Sequence, residues 1–241
     1  MKNLLDVVIE GHGGLGRWKQ YRTMSATQVT GGVLWPMKGV AGILDKVNIT
    51  IDLNQQWVSH SPFQNAAYHT SVKANRVAIE TNGGKLIEEL LNPRLSLQGH
   101  TLESQYSKLQ LAYVAGYSIW TYLTSPFSFT EPGFETREME PWEENGETWR
   151  RLKVKFPDYI ATHSKEQVFY INSNGLIRRH DYDVEVSGNA PVVQYLDEHR
   201  EIDGIVVATE RKVYVRQEDN TPLLPDPLLI SISLSEINFS K

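Results

Sequence analysis

The densest run of chemically useful side chains in the sequence is RRHDYD, at residues 178–183. If this run is a strand, alternation places Arg178, His180 and Tyr182 on one face, among apolar residues. An imidazole that titrates near neutrality beside a phenol predicts a catalytic acid/base pair lining a cavity. The alternative, which the pattern favours slightly, is that His180 and Tyr182 are core-edge residues bonded to backbone groups.

His163 is the second catalytic candidate. It precedes the predicted strand 167–171, and a turn at Asn174-Gly175 joins that strand to the strand of His180. If the register follows the turn, the two histidines lie near the open ends of neighbouring strands, which predicts a shared site. A Ser-His nucleophile pair with Ser164 is not expected, because adjacent strand residues point to opposite faces and no G-x-S-x-G elbow is present.

Arginines near these strands are candidates for holding a substrate carboxylate, because the guanidinium is a planar two-point donor. Arg178 and Arg200 are the predicted binding residues, and His199 lies beside Arg200 in a third polar cluster. The alternative is that Arg200 pairs with an acid on a neighbouring strand, as cross-strand opposites commonly do. On the opposite face of the strand that carries Arg178, Arg179 and Asp181 are expected to be solvated, with Arg179 pairing across to acids.

Aromatic side chains supply the predicted walls of the cavity. The further binding candidates are Tyr117 and Trp120 on a predicted helix, Phe127 after that helix, and Tyr170 on the strand after His163. Such rings can surround a flat apolar ligand. The plainer interpretation is that they form only the core around a helix. The polar residues keep the first interpretation open, because binding pockets combine apolar walls with a few convergent polar groups.

Composition excludes several kinds of chemistry. The 241 residues include no Cys, which excludes disulfides, thiolate metal sites and Cys nucleophiles. A net charge of -5 argues against a nucleic-acid partner. The histidines lack H-E-x-x-H or comparable spacing, so we predict neither a metal nor a cofactor. GHGGLG at residues 11–16 is predicted to end a helix rather than to bind phosphate, because it lacks the Lys-Ser/Thr ending and follows no strand.

Alternation of apolar and polar residues predicts strands along most of the chain, beginning with residues 47–53 and ending with residues 228–239. Several such segments flank glycine-containing turns and therefore predict hairpins. The predicted hairpins pair 76–81 with 85–90, 167–171 with 176–186, and 194–202 with 206–216.

One segment, about residues 102–124, breaks this rhythm with apolar residues at a spacing of three and four, which predicts a helix. The stretch 126–142 is predicted to be a long extended connection. The predicted fold class is mainly β (α+β): a strongly curved antiparallel half-barrel of about 8–11 strands, with the helix plugging its concave face. Residues 1–241 are predicted to form a single domain, because no polar linker flanks the helix.

The first ten residues contain no long apolar stretch and no small-residue cleavage site. No run approaches the ~18 apolar residues of a membrane span. We therefore expect a cytoplasmic protein without an integral membrane segment, and the sequence leaves its oligomeric state open.

Several segments carry a resemblance to a known family. They read GYSIWTYLTSPF at 116–127, ATHS at 161–164, FY at 169–170, LIRRHDY at 176–182 and DGI at 203–205. They resemble a largely uncharacterised bacterial family similar to the lipoprotein-carrier (LolA/LolB-like) half-barrel superfamily. The resemblance implies a half-barrel whose concave face shelters acyl chains, and a periplasmic location that requires a signal peptide.

Because no signal peptide is recognised here, the analogues that the resemblance suggests are cofactor-free pigment-pathway enzymes of this fold, such as the violacein-pathway enzyme and the scytonemin-pathway cyclase. Two hypotheses follow. In the first, a cofactor-free enzyme cyclises or decarboxylates an aromatic substrate, such as an indolic one derived from a keto acid, with His163 or His180 moving a proton and Tyr182 donating to an oxyanion. In the second, the protein binds or carries an apolar ligand or lipid, and the polar residues are structural.

Overall fold

The computed structural model describes residues 3–241, and within them thirteen strands form one antiparallel sheet. The helices are α1 (Leu4–Gly11), α2 (Leu15–Trp18), α3 (Leu34–Met37) and α4 (Lys108–Thr124). The strands are β1 (Thr23–Gly31), β2 (Lys46–Asp52), β3 (Trp57–Ser61), β4 (Tyr68–Lys73), β5 (Arg76–Thr81), β6 (Leu86–Leu91), β7 (Glu135–Glu144), β8 (Glu147–Lys155), β9 (Glu166–Ile171), β10 (Ile177–Val184), β11 (Ala190–Ile202), β12 (Ile205–Val215) and β13 (Ile230–Ser240). Short 3-10 turns cover Pro93–Leu97, Phe127–Thr130 and Glu185–Ser187.

The first and last strands, β1 and β13, pair with each other in the middle of the sheet. Thr23 of β1 lies opposite Asp52 of β2 on one side and Ser240 of β13 on the other. From this centre the sheet runs outward through β2 to β6 and through β13 back to β7. β6 and β7 are the edge strands, so the sheet is an open half-barrel rather than a closed barrel.

The predicted fold class is confirmed, with more strands than expected. All three predicted hairpins form, as β5–β6, β9–β10 and β11–β12. The stretch 126–142 is not an extended connection, and this prediction is wrong: it contains the turn Phe127–Thr130 and most of β7. β7 carries almost no apolar alternation because it is an edge strand with most of its side chains in solvent.

The long helix α4 begins at Lys108 rather than near residue 102. Ser107 and Gln110 form a capping box: the Gln110 N–H donates to Ser107 Oγ at 3.2 Å, and the Ser107 N–H donates to Gln110 Oε1 at 2.8 Å. The helix ends before Pro126, which cannot continue it. Nearly every side chain between these ends is buried.

Helix α4 packs most closely against β3, β4 and β5. We call the face of the sheet that it covers the inner face. Gly116 permits this approach, because a Cβ there would lie 2.7 Å from Cγ1 of Val72 on β4. The helix therefore leans toward the N-terminal half of the sheet and leaves space beside β1, β12 and β13.

Helix α1 covers another part of the inner face. It ends at Gly11, which confirms that the glycine-rich segment after it is a helix end. His12 then holds this segment to two strands: its Nδ1–H donates to the Val206 carbonyl at 2.9 Å, and its Nε2 accepts from the Ile177 N–H at 3.2 Å. Gly13 has φ of +109°, and a Cβ there would lie 2.1 Å from the Gly204 carbonyl oxygen.

The opposite, outer face is also covered at β10. Arg179 and Asp181 point to it and are buried rather than solvated, so that expectation is wrong. Arg179 donates two 2.8 Å hydrogen bonds to the Asp181 carboxylate, one of 2.7 Å to Glu144 and one of 2.6 Å to the Asn220 carbonyl. The hairpin of β7 and β8 and the segment after β12 thus exclude water from this ion pair.

Within residues 3–241 no helix is both long and apolar enough to cross a lipid bilayer.

Candidate ligand-binding site

Three side chains from α4, β10 and the loop before β9 meet on the inner face. The Tyr122 hydroxyl is hydrogen-bonded to His163 Nε2 at 2.9 Å and to the Tyr182 hydroxyl at 2.5 Å. The His163 and Tyr182 rings are stacked, with centroids 4.1 Å apart. All three side chains are buried. We refer to Tyr122, His163 and Tyr182 as the Tyr-His cluster.

His180 adjoins the Tyr-His cluster on its strand side. Its ring lies 4.7 Å from that of Tyr182 and stacks on Phe169 at 4.0 Å. Its Nε2 is 2.7 Å from Gln167 Oε1, and the Gln167 amide donates in turn to Thr162 and to the Ser164 carbonyl. His163 and His180 therefore belong to one buried network, which the register of β9 and β10 brings together.

Burial keeps this network neutral. It lowers the pKa of His163 to about 3 and the pKa of His180 well below its usual value, because a charged imidazole loses its hydration inside the protein. It raises the pKa of Tyr122 to about 12 and the pKa of Tyr182 well above its usual value. At neutral pH the network consists of uncharged donors and acceptors.

An apolar cavity opens beside the Tyr-His cluster, in the space that α4 leaves near β1, β12 and β13. It encloses about 70 Å³ and runs from the cluster to α3. Its walls are mainly aliphatic and aromatic side chains, and the wall residues that matter below are Trp35, Ala115, Ile119, Val213 and Ile232. We call this space the ligand cavity.

The far end of the ligand cavity approaches the surface. Leu34, Leu102, Val184 and Ile230 line it there and are only half-buried. Two polar atoms in its wall, Gln28 Oε1 and Trp35 Nε1, are buried without a hydrogen-bond partner. The cavity is thus a largely enclosed apolar space with one polar end and one partly exposed end.

The predicted aromatic residues of the helix segment lie around this region in different roles. Tyr117 packs edge-on against the His163 ring, at 5.1 Å between centroids, and its buried hydroxyl has no partner. Trp120 points away from the ligand cavity, because its Nε1–H donates to the carbonyls of Asp52 and Gln55.

Phe127 is likewise outside the ligand cavity. It stacks on Trp18 with ring centroids 4.3 Å apart.

The remaining predicted binding residues do not join the site. Tyr170 lies on the outer face and donates to Asp181 at 2.7 Å. An irregularity in the pairing between Ile177 and Arg179 changes the alternation of β10, and Arg178 binds Asp197 near the surface instead.

His199 and Arg200 also lie apart from the Tyr-His cluster. His199 is half-buried and its Nε2 is 3.0 Å from the Ile177 carbonyl, whereas Arg200 is exposed. Glu198 before them has φ of +50°, which departs from extended strand geometry, although the register of β11 with β12 is the same on both sides of it.

Sequence reasoning missed one residue that the structure makes prominent. Arg211 of β12 is buried on the inner face, where it donates to the Tyr122 carbonyl at 2.9 Å and to Gln194 Oε1 at 3.0 Å. A signal was available: Arg211 continues the alternating buried series of Val207, Thr209 and Val213, so the pattern itself places a charge in the core.

Comparison with known proteins agrees with the fold. No protein-family model matches the sequence, and no curated protein matches it. Solved structures match over nearly the whole chain. One is a DUF1329 family protein from Desulfovibrio piger, with 11% identity and a TM-score of 0.55, and the match covers 98% of this chain and 91% of that one. A LolA superfamily protein from Nitrosomonas europaea has 11% identity and a TM-score of 0.51, covering 94% and 92%.

A third similar structure is a domain of an outer-membrane lipoprotein-sorting protein from Vibrio parahaemolyticus, with 9% identity, a TM-score of 0.52, and coverage of 98% and 91%. At such low identity these similarities establish the fold alone. The class is therefore an open β half-barrel of the LolA-like kind, as the resemblance implied. The pigment-pathway enzymes receive no support from these comparisons.

Proposed function

We propose that this protein binds an apolar molecule, a lipid or another hydrocarbon-rich compound, between α4 and the inner face of the sheet. The observation that carries the proposal is the ligand cavity, which combines apolar walls, one polar end and one partly exposed end. This combination is typical of small-molecule sites. The lipoprotein-sorting domain from Vibrio parahaemolyticus, which has the same fold, supports an apolar cargo.

The ligand cavity must enlarge to hold such a molecule. Its volume of about 70 Å³ is well below the roughly 300–1,000 Å³ of drug-sized pockets. The wall formed by α3 is one helical turn long. Gly32 precedes it and Gly39 and Gly42 follow it, all at positive φ. We expect this segment to move outward when a ligand enters, which requires it to break hydrogen bonds to Leu228, Leu229 and residues 101–106.

The enzyme hypothesis has less support than the binding hypothesis. General acid/base catalysis works best when the pKa of the catalytic group lies near the working pH, and burial holds His163 and His180 far below it. We expect His163→Ala and His180→Ala to change stability and ligand affinity rather than a turnover rate. Mass spectrometry can test this. If the native protein converts an aromatic keto acid into a new product and either variant does not, the enzyme hypothesis is favoured over the binding hypothesis.

The test is a variant that fills the ligand cavity. Ala115→Leu adds three carbon atoms to a wall residue of α4, and leucine is a good helix former. The affinity of this variant for a fluorescent alkyl-chain probe should be at least tenfold lower than that of the native protein. Ala66→Leu makes the same change at an exposed loop position and should leave probe affinity unchanged. Equal affinity in all three proteins, or no binding by the native protein, would contradict the proposal.

A further inference from the structure

Arg211 is a buried cation that lacks a counter-ion. Among the described residues 3–241, no carboxylate forms an ion pair with it. Its two Nη atoms donate to neutral acceptors, and its Nε has no hydrogen-bond partner. The guanidinium lies 5.4 Å from the centre of the Tyr122 ring. The neighbouring Gln194 presents a second buried donor, Nε2, that is also without a partner.

This arrangement differs from the other fully buried arginine of the sheet. Arg179 on the outer face binds two carboxylates and a carbonyl, so its charge is compensated. Buried arginines are nearly always paired, because an isolated charge loses its hydration without compensation. Burial lowers the pKa of Arg211 to about 10, which still leaves it charged at neutral pH. The inner face thus holds one positive charge and two unused donors.

The space beside Arg211 adjoins the ligand cavity. A second, smaller cavity of about 20 Å³ is lined by Arg211, Tyr122, His180 and apolar side chains. This volume accepts a group of about the size of one water molecule. The Tyr122 side chain lines both cavities and separates them. A rotation of this one side chain would join them into a single chamber with an apolar length and a cationic end.

We propose that the ligand is an apolar carboxylic acid whose ionised carboxylate binds the guanidinium of Arg211 while its hydrocarbon part fills the ligand cavity. This inference rests on the proposed function and narrows its ligand class. A carboxylate matches the planar guanidinium and is smaller than a phosphate, so it requires less enlargement of the 20 Å³ cavity.

The first test compares ligands on the native protein. Oleic acid, its methyl ester, oleyl alcohol and oleyl phosphate share one hydrocarbon chain and differ at the head group. Isothermal titration at pH 7.5, below the critical micelle concentration of each compound, should give an affinity for oleate at least tenfold above those for the ester and alcohol, about 1.4 kcal/mol. Equal affinities for these three, or tighter binding of the phosphate, would overturn the assignment of a carboxylate.

The second test removes the cation. Arg211→Met keeps an unbranched side chain of similar length without the charge, and should weaken oleate binding at least tenfold while leaving the alcohol within twofold. Arg200→Met makes the same change at an exposed position of the neighbouring strand and should leave both affinities unchanged. Loss of the preference for the acid in Arg211→Met supports the inference, and its retention overturns it.

These tests separate the inference from the function on which it rests. If the native protein binds all four compounds equally, the apolar site remains and the anchoring role of Arg211 is wrong. If it binds none of them, both proposals are wrong. Should Arg211→Met fail to fold, Arg211→Gln replaces it, and the comparison of oleate with its ester on the native protein decides the question without any variant.

Discussion

Tyr122 makes more of the contacts described for the site than any other residue of α4. Its hydroxyl joins His163 to Tyr182, its backbone carbonyl accepts from Arg211, and its side chain lies between the two cavities. Tyr117, on the same helix, has an equally buried hydroxyl without a partner. The two tyrosines therefore differ in what their hydroxyl groups contribute.

This difference gives a prediction at the residue scale. Tyr122→Phe leaves His163 Nε2 and the Tyr182 hydroxyl without their shared partner and should lower the free energy of unfolding by about 1–3 kcal/mol. Tyr117→Phe removes only a buried hydroxyl without a hydrogen bond. It should change the free energy of unfolding by less than about 0.5 kcal/mol or increase it. Urea denaturation measures both, and equal losses in the two variants would contradict the hydrogen-bond assignment.

The elements show why the sequence predicts some of this site and not the rest. Glycine-containing turns fix the hairpins, and the β9–β10 hairpin makes the proximity of His163 and His180 predictable. The catalytic roles first considered for them stay predictions. Arg178 and Arg200 could not be placed, because irregular pairing beside Arg178 and the left-handed backbone of Glu198 near Arg200 depart from regular strand geometry. Such bulges leave no clear mark in the alternation of the sequence.

Edge strands and helix starts show the same limit. Half of the residues of β7 are glutamates, and it was not recognisable as a strand, since an edge strand needs no apolar face. The capping box at Ser107 and Gln110 was readable in the sequence as S-x-x-Q, and it marks the start of α4 better than apolar spacing does. Local hydrogen-bonding motifs therefore carried information that periodicity did not.

The packing of α4 on the sheet gives a prediction at the element scale. Gly116→Ala places a Cβ against Val72 and should destabilise the protein by about 1–3 kcal/mol through overpacking. Val72→Ala removes the methyl groups involved, so the double variant should lose less stability than the sum of the two single variants. Additive losses in this double-mutant cycle would mean that the helix does not approach β4 as closely as described.

Four buried histidines dominate the response of the whole molecule to pH. Burial lowers the pKa of His12 and of His60 to about 4, that of His163 to about 3, and that of His180 well below its usual value. The unfolded chain takes up protons on these imidazoles near pH 6.5, whereas the folded protein does not. Stability contributed by the neutral imidazoles is thus complete above pH 6.5 and falls as the pH decreases toward about 4.

The predicted slope is large. Each such histidine contributes up to about 1.4 kcal/mol per pH unit in this range, and the four together contribute up to about 5.5 kcal/mol per pH unit. A typical domain has roughly 5–15 kcal/mol of stability, so cooperative unfolding is expected between about pH 6 and pH 4. Urea titrations at pH 7, 6 and 5 measure the slope, and His60→Gln should reduce it by about a quarter. Constant stability from pH 7 to pH 4.5 would contradict the burial of these residues as neutral groups.

The central claim is that an apolar ligand lies between α4 and the inner face, and locating a bound ligand tests it most directly. A crystal of the delipidated protein soaked with a fatty acid brominated near the end of its chain would reveal the bromine by anomalous scattering. We expect a bromine peak among Trp35, Ile119 and Val213, with α3 displaced outward. The Ala115→Leu variant should show no peak there. A bromine peak only at the exposed leucines of β6, or an unchanged empty cavity at saturating ligand, would contradict it.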